Sequence, residues 1–270
     1  MAVNRCMPME IDWDLAKKQT LWHYEELTQK LLYVLSFSFV MEHYNHSMPA
    51  ALVYAARIQK GYLQGQEDTQ FIDSISCSIN ILANARVDNY QHLVQQVATR
   101  EACVEFMQHS GIGFELLIQF LNYLFRWVLP FRIPLRELLD LENGFNLQIM
   151  DSLKEHGINA NLDILEKCHT KAGRRETALS SGIAEDVLLE IVQRADLSRL
   201  AYVRGKTVKH LCFAGLDTLD KLANTDLSVI SAAMDAYYTS IGAKTADYKA
   251  VIPLAWLQGG ARILPRILEM

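Results

Sequence analysis

The chain has 270 residues, of which 50% are hydrophobic, and its formal net charge is −5. Such an apolar composition excludes intrinsic disorder and supplies enough material for one core or two small ones. The slight acidity excludes a general basic field for nucleic acid, and 13 glycines with 6 prolines are too few to favour a β-sandwich or a barrel.

The first part of the chain has the spacing of successive amphipathic helices. Apolar residues at steps of three and four predict one long helix over residues 20–44. Ser47-Met48-Pro49 predicts the start of the next helix, because proline fits the first helical turn. The same spacing predicts a helix over 71–82 and another that runs through 90–107.

Residues 115–129 are apolar on nearly every side, which is typical of a helix at the centre of a bundle. Pro130 and Pro134 then interrupt the helical pattern, and we place a domain boundary there, between 1–130 and 131–270. Charge supports a division nearby, since residues 1–150 hold 11 basic and 16 acidic side chains whereas 151–270 hold 15 of each. No segment alternates like a strand, so the sequence predicts an all-α protein that begins with a multi-helix bundle.

The C-terminal half contains several separate motifs in a recognisable order. They are Cys168–Arg175, Ser181-Gly182-Ile183, Arg194–Leu200, Gly205-Lys206-Thr207, Ala214–Leu219 and Trp256–Pro265. Gly215 is expected to take a left-handed helix cap, and Thr218 or Asp217 to cap the helix that follows. Together the motifs resemble the tandem helix-hairpin-helix family catalogued as domain of unknown function 4332, over about residues 135–266. The resemblance implies a tandem helix-hairpin-helix domain over 131–270, whose hairpin contacts phosphate through free backbone N–H groups.

The hairpin of this chain departs from the family pattern at its two glycine positions. Tyr202 and Arg204 stand where those glycines usually lie, Val203 keeps the hydrophobic position between them, and Gly205 comes one residue late. Since larger side chains prevent the close backbone approach that glycine allows, we expect the anion niche to be closed.

A fainter copy of the same unit precedes this hairpin. His156-Gly157-Ile158 parallels Ala214-Gly215-Leu216 at a distance of 58 residues. This repetition predicts an internal duplication within the C-terminal half.

Motifs for catalysis or metal binding are not evident. His43 and His46 are three residues apart, so they are expected to share a helix face. The Glu-x-x-His pattern of di-iron bundles is nevertheless missing, because Asn45 occupies the position three residues after Glu42. The nucleophile elbow, the P-loop and the His-Glu-x-x-His zinc motif are missing. We therefore expect no enzyme activity, no catalytic residue, no metal and no cofactor.

Cysteine usage and hydropathy bear on location. The five cysteines, at positions 6, 77, 103, 168 and 212, form no Cys-x-x-Cys pair, which indicates a reducing compartment. The N-terminus has no secretory signal pattern, and the longest uncharged apolar stretch, 31–41, is too short to span a bilayer. We expect a soluble, cytoplasmic protein.

Two functions remain open from the sequence. The first is a non-catalytic adaptor whose C-terminal module binds mainly another protein. The alternative is a nucleic-acid-binding protein that contacts phosphates through the hairpin. The candidate binding residues are Arg199, Tyr202, Arg204, Gly205, Lys206, Thr207 and Lys209. The partner, the pathway, the oligomeric state and a ligand of the N-terminal bundle are left open.

Overall fold

The computed structural model describes residues 11–62, 66–142, 144–242 and 253–270. Within these ranges the chain forms seventeen α-helices and no β-strand, so the all-α prediction is confirmed. Extended backbone pairs there only in two isolated bridges, between Ser47 and Asn89 and between Pro134 and Ala160.

The described part of the first half of the chain consists of eight α-helices and a π-helical turn that continues the last of them. They are α1 (Asp14–Thr20), α2 (Tyr24–Val34), α3 (Ser38–His43), α4 (Met48–Tyr62), α5 (Gln66–Asn84), α6 (Tyr90–Gln96), α7 (Arg100–Ser110) and α8 (Phe114–Tyr123), followed by the π-turn Leu124–Val128. Leu117, Ile118, Phe120 and Leu121 of α8 are fully buried. The central place predicted for this apolar segment is therefore confirmed.

Two helices predicted as continuous are each divided, and those predictions were wrong. The segment 20–44 breaks between α2 and α3, where Phe37 is extended. Glu166, from the second half of the chain, causes this break, because its carboxylate accepts hydrogen bonds from the Ser38 and Phe39 N–H groups (3.0 and 3.4 Å) and so caps α3. The segment 90–107 breaks before α7, where the Thr99 hydroxyl accepts from the Ala102 N–H at 3.3 Å.

The second half is a series of shorter helices. They are α9 (Leu135–Leu138), α10 (Gly144–Glu155), α11 (Asn161–Cys168), α12 (Lys171–Ser181), α13 (Glu185–Leu197), α14 (Gly205–Phe213), α15 (Leu219–Asn224), α16 (Leu227–Ser240) and α17 (Leu254–Ile263). Gly215 has φ +79°, and the Thr218 hydroxyl accepts from the Lys221 N–H at 3.1 Å. Both predicted caps are therefore confirmed.

The same C-terminal cap occurs after α10 and after α14. Gly157 has φ +74°, close to the value at Gly215. In both places the next N–H closes a wide turn, from Ile158 to the Leu153 carbonyl at 2.9 Å and from Leu216 to the Leu211 carbonyl at 2.8 Å. This repeated geometry supports the predicted internal duplication.

The two halves of the chain are packed together. Helix α17 crosses α4 so closely that a Cβ on Gly259 would lie 2.0 Å from the Gly61 carbonyl oxygen. Buried apolar side chains from both halves form one connected core. The division into 1–130 and 131–270 thus remains a prediction about sequence units, and the packing is continuous across residue 130.

No helix within the described ranges has both the length and the apolar character required to cross a bilayer.

Candidate binding site around the predicted hairpin turn

The turn between α13 and α14 keeps a glycine-like bend without a glycine. Tyr202 has φ +62°, in the left-handed region that L-residues other than glycine rarely adopt. Its ring packs edge-on against Trp127, with 4.9 Å between the ring centroids, and Trp127 also contacts Tyr62 and Trp256. The aromatic contact stabilises a backbone conformation that costs about 1–2 kcal/mol.

The start of α14 is closed by protein. Gly205, its first residue, is buried, and a Cβ there would lie 2.3 Å from the Glu137 carbonyl oxygen of α9. The Cα of Gly205 therefore faces α9 and not solvent. The contact that crowds the turn is therefore made by α9 at Gly205, whereas the sequence pointed to the side chains of Tyr202 and Arg204. The closure of the anion niche stays a prediction.

Arg199 belongs to the core rather than to the surface. Its side chain has no solvent exposure and forms a salt bridge with Asp196, with 2.9 Å between Nε and Oδ1. It also donates to the Tyr44 hydroxyl and, at 3.0 Å, to the Pro265 carbonyl. The guanidinium that the sequence placed among the binding residues thus connects α13 to α3 and to the C-terminal tail.

Arg204 lies at the rim of the turn and is exposed. The carbon centre of its guanidinium is 3.7 Å from the centroid of the Phe131 ring. Partial burial lowers the pKa of Arg204, Glu137 opposes this, and the nearby charge of Arg126 lowers it further. Its charge is therefore only partly balanced.

The first turns of α14 carry the remaining predicted residues. Lys206 is exposed, Thr207 and Lys209 are partly exposed, and neither lysine forms a salt bridge with another described residue. The pKa of His210 is lowered by burial and by the charges of both lysines. This side of α14 is therefore positively charged.

An aromatic surface, here defined as Phe213, Tyr237 and His210, lies beside these lysines. Phe213 is 52% exposed and stacks on Tyr237 with a centroid distance of 5.7 Å and an interplanar angle of 14°. Tyr238 is instead buried, and its hydroxyl lies 2.9 Å from Nδ1 of His210. Arg194 is 5.9 Å from the Phe213 ring. Tyr237 thus faces outward and Tyr238 inward, and neither Tyr237 nor Phe213 was identified from the sequence as a surface residue.

Tyr202 allows a direct test of the bend. Replacement by alanine removes the ring and keeps the strained backbone, whereas replacement by glycine removes the ring and relieves the strain. We expect Tyr202→Gly to be more stable than Tyr202→Ala by about 1 kcal/mol, measured by urea unfolding. Equal stabilities, or a more stable alanine variant, would contradict the left-handed conformation.

The histidines considered for metal binding are separated by the end of a helix. His43 is the last residue of α3 and His46 lies in the loop that follows, so the two do not share a helix face. The inference from their spacing was therefore wrong. Within the described part of the chain, no three His, Cys, Asp or Glu residues are grouped so that they could hold a metal ion.

Comparison with known proteins identifies a domain in the second half. Residues 144–250 match the family model described as "Domain of unknown function (DUF4332)". The match spans α10 to α16 and therefore includes the aromatic surface and the lysines of α14. No curated protein and no solved structure shows a significant match to the chain.

Proposed function

We propose that this chain is a non-catalytic binding protein that holds another protein against the α14–α16 side of its C-terminal half. The main support is the stacked pair Phe213–Tyr237, because half of the phenylalanine side chain remains in solvent. Aromatic side chains are enriched in protein interfaces, where a partner removes them from water.

The surroundings of the pair specify the chemistry of the partner. Lys206 and Lys209 contribute positive charge from α14, and Arg194 adds a third cation beside Phe213. Helix α14 itself carries no acidic residue. The complementary surface is an acidic segment with an apolar side chain that packs on the exposed ring of Phe213.

The packing of the hairpin turn favours a protein over a nucleic acid as the partner. Gly205 is covered by Glu137, Arg199 is buried with Asp196, and Arg204 lies on Phe131. Of the seven predicted residues, Lys206, Thr207 and Lys209 lie on the accessible first turns of α14, whereas Arg204 lines a cavity beside the turn. Affinity for a nucleic-acid backbone rises with the number of phosphates neutralised, and two lysines supply few such contacts.

The proposal is tested by co-purification from the cells that produce the protein. Tagged wild type is compared with the double variant Phe213→Ser/Tyr237→Ser, and Val53→Ser serves as the control because Val53 is 57% exposed on α4. We expect a protein recovered with wild type and with the control but reduced at least about tenfold with the double variant. Thermal melting confirms that all three chains are folded.

If the same proteins were recovered with all three chains, the proposal that the α14–α16 surface binds a protein partner would be refuted.

Nucleic-acid binding is the second candidate, favoured by Lys206 and Lys209, which form no salt bridge with another described residue. It is measured as the anisotropy of labelled single- and double-stranded oligonucleotides at several salt concentrations. Binding that weakens with salt and is lost in Lys206→Glu/Lys209→Glu, but kept in Phe213→Ser/Tyr237→Ser, would support this candidate against the protein partner. No binding at low salt would remove it.

A further inference from the structure

A small cavity lies beside the hairpin turn, where the two halves of the chain meet. Its volume is about 150 Å³, and its lining comes from three segments: Leu21-Trp22 before α2, the π-turn with the residues that follow it, and the turn after α13. Pockets for drug-sized ligands usually measure about 300–1,000 Å³. The space therefore suits one small chemical group.

The cavity carries more positive than negative charge. Arg126 and Arg204 both line it, and neither forms a salt bridge with another described residue. The third arginine of the lining, Arg199, is neutralised by Asp196. Glu137 lies near Arg204 but does not reach salt-bridge distance, so it offsets only part of the charge.

Both unpaired guanidiniums are held in position by neighbouring side chains. Arg204 lies over the face of Phe131, and a guanidinium stacked on a ring keeps its N–H donors for other bonds. Arg126 donates from Nε to the Asn122 side-chain oxygen at 2.9 Å and also contacts the Tyr202 hydroxyl. Since a guanidinium has five N–H donors, Arg126 retains donors for a ligand.

Aromatic rings form the apolar part of the lining. Trp22 packs edge-on against Phe125 at 4.6 Å, and Phe125 packs against Phe131 at 5.2 Å, both measured between ring centroids. Rings of this kind exclude water and so strengthen charge-assisted hydrogen bonds to an anion. They also provide surfaces for an organic substituent on that anion.

We infer that this cavity binds a phosphate group, either free or as a small monoester, between the guanidiniums of Arg126 and Arg204. The site differs from the protein-binding surface proposed above. Arg204 precedes the first residue of α14 and Phe213 is its last residue, so their backbones are about 13 Å apart along the helix axis. Either assignment can fail without the other.

The inference is tested by calorimetric titration of the full chain with inorganic phosphate and with phenyl phosphate, at constant ionic strength set by chloride. We expect saturable binding to wild type and a loss of affinity of at least about tenfold in Arg126→Gln/Arg204→Gln. Arg132→Gln is the matched control, because Arg132 is an exposed arginine near the same segment that contacts Tyr33 and does not line the cavity.

Each outcome has a defined meaning. Tighter binding of phenyl phosphate identifies a monoester as the ligand class, and equal binding identifies free phosphate. If the double variant does not fold, the single Arg126→Gln and Arg204→Gln variants should each weaken binding. The inference is overturned if wild type binds neither compound up to about 10 mM, or if folded arginine variants bind as well as wild type.

Discussion

Replacement of Arg199 by methionine is expected to lower the free energy of unfolding by roughly 3–5 kcal/mol. Arg199 is fully buried and pairs with Asp196, which is also nearly inaccessible to solvent. Removal of the guanidinium leaves the Asp196 carboxylate without its counter-charge in a medium of low dielectric constant. The Tyr44 hydroxyl and the Pro265 carbonyl lose their partner at the same time.

A double-mutant cycle separates the ion pair from general loss of packing. We expect Arg199→Met/Asp196→Leu to be more stable than Arg199→Met alone, because no uncompensated charge then remains in the core. Lys18→Met is the control for an exposed pair, since the side chains of Lys18 and Asp12 are each more than half exposed and such pairs contribute less than about 1 kcal/mol. A loss below about 1 kcal/mol for Arg199→Met in urea unfolding would contradict the buried pair.

Replacement of Gly259 by alanine is expected to cost about 1–3 kcal/mol. The new methyl group would lie 2.0 Å from the Gly61 carbonyl oxygen and 2.8 Å from the carbonyl carbon. Both neighbours are backbone atoms of α4, so they cannot move aside as a flexible side chain would. Relief requires α17 to shift away from α4, which weakens the contact between the two halves.

Gly144→Ala is the matched control for this substitution. Gly144 begins α10, and a Cβ there meets no heavy atom within 4 Å. Alanine at such a site is expected to be neutral or to stabilise by up to about 1 kcal/mol, because it restricts the unfolded chain. Thermal unfolding of both variants measures the difference, and equal melting temperatures would mean that α4 and α17 are not in close contact.

The structural features that were predicted correctly depend on interactions between residues that are close in the sequence. The spacing of apolar residues predicted an all-α chain with a central helix near 115–129, and the glycine and threonine signals located the caps at Gly215 and Thr218. These features depend on residues within one or two helical turns. The Thr99 cap was missed, although a threonine before helix-forming residues is a local signal for a helix N-terminus.

Contacts between distant segments were beyond sequence reasoning. The break before α3 depends on Glu166, which lies 128 residues from Ser38. Arg199 was predicted to be a binding residue because its partners Tyr44 and Pro265 are 155 and 66 residues away. The closure of the turn by Glu137 at Gly205 is of the same kind, since a single sequence does not show which helices pack together.

The candidate surface was predicted only in part. Lys206 and Lys209 stand beside a recognisable hairpin motif, so their position could be inferred. Phe213 is the last residue of α14, and an apolar side chain at that position is expected to lie in the core. In the structure Phe213 is exposed and Tyr238 of α16 is buried. Exposure of one aromatic side chain beside a buried one is a property of the assembled α14–α16 pair.

The central claim is that a protein partner contacts the α14–α16 surface and not the hairpin turn. It is tested most directly by photo-cross-linking in the cells that produce the protein. The photoreactive residue p-benzoylphenylalanine replaces Phe213 in one variant and Tyr202 in a second variant. We predict protein adducts from position 213 and few or none from position 202, although Tyr202 is itself 39% exposed. Adducts from position 202 alone, or nucleic acid cross-linked in place of protein, would contradict the account.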